Sequence, residues 1–176
     1  MNYLTIIVLL FAGLVCNAQS SVAVNVSLPT VTLLDIEPST AAIALALQTP
    51  IEAGFPVTVP SDNSTKWLNF TSAVAVGGSR KITAQVTSGT IPNGLRLKLS
   101  LSSYTGTGAG SLGSPVTSIY LSAAAQNIVT GIGGAYTGNG SNNGYNLTYG
   151  LEINNYSQLR YNASATLTIT YTLMDN

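Results

Sequence analysis

Apolar and polar residues alternate along most of this chain with a period of two. The stretch "SVAVNVSLP", Ser21 to Pro29, sets Val22, Val24, Val26 and Leu28 against Ala23, Asn25 and Ser27. Period two is the mark of a half-buried β-strand, because successive side chains point to opposite faces. "VTLLDIEP" continues the pattern to Ile36. Pro29 is an expected bulge or edge kink, since proline donates no ladder hydrogen bond. "AIALAL" directs Ile43, Leu45 and Leu47 to one face. "KWLNFTS" sets Leu68 and Phe70 against Trp67, Asn69 and Thr71, and "RKITAQV" turns Ile82, Ala84 and Val86 inward. The turn "IPNG" leads into "LRLKLSLS", with Leu95, Leu97, Leu99 and Leu101 on one side. "VTSIYLS" is a short strand. "YNLTYGLEI" aligns Tyr145, Leu147, Tyr149, Leu151 and Ile153, and "ATLTITYTL" aligns Ala165, Leu167, Ile169, Tyr171 and Leu173.

Between these segments lie two glycine-rich stretches, Thr105–Pro115 and Asn127–Gly144, the second being the longest expected irregular region. Helix signals are almost absent. About eight strands with turn signals between them predict an all-β fold, an Ig-like or pilin-like antiparallel sandwich. No boundary or internal repeat divides it, so residues 19–176 form one expected domain.

The start of the chain changes what the first strand means. "LTIIVLLFAGLV" followed by "CNAQS" is an apolar run shorter than the about 20 residues a membrane span needs. Small residues at Cys16 and Ala18 suit cleavage before Gln19, so residues 1–18 read as a signal peptide. Export to the periplasm or the cell surface follows, with no membrane span in the mature chain. The row Val22, Val24, Val26 and Leu28 then opens the mature protein. Residues 19–29 are either the first strand of its own sheet or a strand donated to a neighbour.

Composition narrows the chemistry. Charged residues make up 7% of the chain, where about 25% is usual. The 6 basic residues are scattered and balanced by 6 acidic ones, which argues against electrostatic capture of nucleic acid or anionic membrane. Histidine is absent and Cys16 is the only cysteine. The mature chain therefore has no disulfide, thiolate nucleophile, imidazole base or Cys/His zinc site. Asp35 and Glu37 share one strand face, so they cannot straddle a glycosidic bond. "GIGGAYTG" lacks the following helix and Lys-Ser/Thr of a phosphate loop, and "TGNGSNNG" lacks the carboxylates of a calcium loop. No catalytic residue, cofactor or metal is expected, and the protein is not expected to be an enzyme.

Binding residues remain. Trp67, opposite Leu68 and Phe70, is either an outward aromatic able to stack on a glycan or, with the parity reversed, a core anchor. The second glycine-rich stretch offers Tyr136, Asn139 and Asn142 as further ligand contacts, for a glycan or a protein.

The opening "SVAVNVSLPTVTLLDIEP" and the closing "YNLTYGLEI…ATLTITYTL", with the glycine-rich loop between "VTSIYLS" and that pair, resemble bacterial surface proteins. The resemblance is to small secreted subunits of chaperone–usher-type fibres and to the related spore-coat-U-like sandwiches. It implies an incomplete Ig-like fold completed by a neighbour's N-terminal extension. The implied function is a structural or adhesive surface subunit whose partners are its own copies or other fibre subunits. Many such subunits carry a disulfide, which this chain lacks, and Tyr171 lies further from the end than their near-terminal tyrosine.

Overall fold

The computed structural model describes residues 18–162 and 164–176. The expected signal peptide lies, but for Ala18, outside the described residues.

The fold is all-β, with two antiparallel sheets and no α-helix among the described residues. The first sheet has seven strands. β1 (Val31–Glu37) pairs with β2 (Asn63–Ala73). Along its other side β2 pairs first with β10 (Tyr145–Ile153) and then with β9 (Ala135–Tyr136). β10 continues to β4 (Leu95–Leu101) and β7 (Ser118–Tyr120), while β9 continues to β5 (Ala109–Gly110). The second sheet runs β11 (Thr168–Asp175), β3 (Arg80–Ser88), β8 (Gln126–Ile132), β6 (Ser114–Pro115).

The core lies between the sheets, where the alternating rows place it. Leu68 and Phe70 of β2, Leu97 and Leu99 of β4, and Tyr145 and Leu147 of β10 meet Ile82 and Ala84 of β3 and Ile128 and Val129 of β8. Phe70 and Tyr145 stack with ring centroids 6.3 Å apart, and Tyr104 meets Tyr145 edge-on at 6.1 Å. Ladder geometry demands Gly144 at one crowded point. Its φ is +84°, and a Cβ there would lie 2.2 Å from the Leu68 carbonyl oxygen.

Among the described residues there are eleven strands rather than about eight. Four fall where none was expected, and three of these are two-residue pairings inside the glycine-rich stretches. The fourth, β8, runs through the region expected to be irregular, and Ile128, Val129 and Ile132 on it are fully buried. Neighbours 128 and 129 are both inward because the register with β3 shifts there. A bulge of this kind breaks period two, and so hides the strand from a pattern search.

Two alternating segments behave in the opposite way. Residues 18–30 form no ladder and are exposed throughout, with Val22, Val24, Val26 and Leu28 between 73% and 89% exposed. Residues 39–47 are extended without ladder pairing, although Ile43, Leu45 and Leu47 are half-buried as their alternation predicts.

Candidate functional site

Two places combine accessible surface with unusual chemistry. The first is a seam along one side of the sandwich. β1 and β11 are both edge strands with a single ladder partner each, β2 and β3. Their inward residues, Leu34 and Ile36 on β1 and Ile169 and Tyr171 on β11, are only half-buried, unlike the central strands. Between them opens a cavity of about 520 Å³, lined by Ile36, Leu97, Tyr149, Leu167, Ile169 and Tyr171. Residues 39–47 lie across it as a strap, adding Ile43 and Leu45 to the lining.

Polar side chains hold the seam at defined points. Lys66 follows the inward row of Leu68 and Phe70 and is 8% exposed. Its ammonium donates to the Ser39 carbonyl oxygen at 2.7 Å, which fastens the start of the strap. The hydroxyls of Tyr149 on β10 and Tyr171 on β11 meet at 2.5 Å, bridging the two sheets. Burial pushes both phenols above the ordinary tyrosine range. At the other end Arg80 is 5% exposed. Its guanidinium donates to Asp175 Oδ1 on β11 at 2.9 Å, to the Val31 carbonyl of β1, and to Ser72 Oγ of β2 at 3.3 Å. One side chain thus ties both sheets.

The second place is the outward face of the first sheet. Antiparallel register sets Leu33 beside Thr71, Asp35 beside Asn69 and Glu37 beside Trp67. On the far side of β2, Tyr136 pairs with Thr71 and Asn146 with Trp67. A cleft of about 490 Å³ opens over Leu33, Asp35, Asn69, Thr71, Tyr136 and Asn139. The loop at its rim is anchored. Asn69 Nδ2 donates to the Gly140 carbonyl at 3.0 Å, Asn143 Nδ2 donates to the Asn139 carbonyl at 2.8 Å, and Asn143 Oδ1 accepts from Thr107 N at 3.1 Å. Asn69 Oδ1 is buried without a donor among the described residues.

The expected ligand residues divide. Tyr136 and Asn139 meet in the cleft. Asn142, at φ +68°, is exposed at the loop turn and does not line it. Trp67 lies on the same outward face, partly exposed, two residues beyond Asn69. Asp35, Asn69 and Thr71 are cleft residues that sequence reading missed. Pairing "VTLLDIE" antiparallel to "KWLNFTS" would have found them, since their outward residues then fall side by side. The expected strand donors Val22, Val24, Val26 and Leu28 contribute to neither cavity. No group of three or more metal-ligating side chains occurs among the described residues.

No protein-family model matches the chain, and no curated protein or solved structure is significantly similar to it. What the fold defines is a class: an antiparallel β-sandwich with one open seam and an unpaired, alternating N-terminal segment.

Proposed function

We propose that the protein is an exported, non-enzymatic structural subunit of the cell surface that joins copies of itself by strand addition. In this reading the Val22–Leu28 segment of one copy enters the β1–β11 seam of the next. The reading is supported by the presence, in one molecule, of an exposed apolar row and of a half-buried apolar seam between two edge strands.

Magnitudes favour a register-specific fit. Burying four such side chains contributes roughly 1.5–3 kcal/mol each. That gain is comparable with the about 4–15 kcal/mol lost on association. Backbone pairing with an edge strand, net about 0.5–1.5 kcal/mol per hydrogen bond, then decides the outcome. A shift of one residue would turn Ala23, Asn25 and Ser27 inward and forfeit the apolar gain.

The test is size-exclusion chromatography and negative-stain microscopy of the mature protein beside a variant lacking Ser20–Leu28. Oligomers or fibres from the first and monomers from the second are expected. A strictly monomeric mature protein at high concentration sinks the proposal.

A further inference from the structure

A separate observation points to a ligand. On the outward face of the first sheet, Tyr136 is 49% exposed at one end of the cleft and Trp67 is partly exposed four residues along β2 from Thr71, the neighbour of Tyr136. Asn69, between Thr71 and Trp67 on β2, is 5% exposed beneath the Gly140 loop, so Trp67 lies outside the cleft. In the cleft, β1 presents the Asp35 carboxylate beside Asn69. Asn139 adds an exposed amide at the loop rim.

The cleft carries a carboxylate without a facing cation, among neutral donors and acceptors. The only bond to the Asp35 carboxylate among the described residues is from the next backbone amide, Ile36 N, at 2.7 Å, so a second oxygen is free to accept. The Tyr136 hydroxyl, the Thr71 hydroxyl and the Asn139 amide make no side-chain hydrogen bond among the described residues. No lysine or arginine lines the cleft. Lys66 and Arg80 belong to the inward row, and Arg96 and Lys98 stand on β4 beyond β10. The cleft thus joins one exposed aromatic ring to a free carboxylate oxygen and to hydroxyl and amide groups that donate and accept, in a volume of the size that binds small ligands, about 300–1,000 Å³. Apolar partners would leave the carboxylate unpaired, and anionic partners would be repelled. A chain of sugar rings bearing hydroxyls offers an apolar ring face for Tyr136 and O–H donors for Asp35.

We infer that this cleft binds a neutral glycan, stacked on Tyr136 with Asp35 accepting from its hydroxyls. The site is on the opposite side of the first sheet from the seam, so it neither requires strand addition nor is blocked by it.

The experiment is a glycan array followed by calorimetry on the mature protein, with neutral oligosaccharides, polyuronate fragments and a lysine-rich peptide as probes. Neutral oligosaccharides are expected to bind, and both Tyr136→Ala and Asp35→Asn to weaken that binding about tenfold or more, a change of 1.4 kcal/mol or more. Tyr161→Ala, at a side chain that is 94% exposed and outside the cleft, should leave binding unchanged. Circular dichroism of each variant checks that its fold is retained. The inference is overturned if no neutral glycan binds at millimolar concentration. It is equally overturned if binding is indifferent to both cleft variants, or if the lysine-rich peptide or polyuronate is the preferred ligand.

Discussion

Tyr145 is one of three buried phenols expected to shape the response of this protein to alkaline pH. Its ring fills the core between Phe70 and Tyr104, and its hydroxyl donates to the Leu112 carbonyl at 2.9 Å. Burial pushes its pKa up to about 12, and burial also raises Tyr149 and Tyr171. A phenol whose folded pKa is raised ionises first in the unfolded chain. Above about pH 10 the unfolded state therefore holds fewer protons, and stability falls as pH rises. Each such group adds about 1.4 kcal/mol of loss per pH unit until its folded pKa is reached. Chemical denaturation should show stability declining steeply above about pH 10, and Tyr145→Phe should make that decline shallower. Replacing Gly144 by Ala should cost more than the usual glycine-to-alanine change, because the new Cβ meets the Leu68 carbonyl at a positive φ. Denaturation midpoints against wild type would measure it. Leu99, fully buried at the centre of β4, should lose about 2–5 kcal/mol on truncation to alanine.

At the scale of elements, alternation was a reliable guide to which face a residue takes. It was a poor guide to whether a strand has a partner. Leu97, Leu99 and Leu101, Ile82, Ala84 and Val86, and Tyr145, Leu147 and Tyr149 are all inward and buried as their spacing implies. Ile43 and Leu45 also turn inward, yet no ladder forms, because residues 39–47 cross a gap between sheets instead of lying beside an edge. β8 was hidden by its bulge, and the cleft by the fact that its residues come from strands and a loop far apart in the chain. Lys66 and Arg80 occupy inward positions by parity alone, but their carbonyl and carboxylate partners come from other elements, which no local pattern reveals. The segment at residues 18–30 carries a sharper prediction. Because its apolar row makes no ladder and is exposed, deleting Ser20–Leu28 should leave the melting temperature of the dilute monomer within about a degree of wild type. Differential scanning calorimetry would check this, and a large drop would show that the segment packs on its own domain.

For the whole molecule, the scarcity of charge bears on the proposed association. With 6 basic and 6 acidic residues in the chain, no long-range field steers copies together. Self-association through Val22–Leu28 should therefore change little between about 0.1 and 1 M salt, where screening removes most surface electrostatics. Sedimentation velocity across that range would test it. Val24→Asp combined with Val26→Asp should abolish assembly while leaving the isolated fold intact, since neither side chain is buried in the monomer. Wild-type-like oligomers from that double variant would contradict strand addition through this row.

The uneven fastening of the two sheets has a mechanical consequence. Arg80 rivets β1, β2 and β11 at one end, through Val31, Ser72 and Asp175. Near Ile36 and Ile169 the closure is a strap held to Lys66 by one hydrogen bond, with the Tyr149–Tyr171 contact behind it. The sandwich is in effect a clothes-peg, with its spring at Arg80 and its jaws at Lys66. Under the proposed strand addition, a donor segment would enter by the jaws and stop at the spring. Subunits linked through such a joint all point the same way, so a filament built from them has a head and a tail.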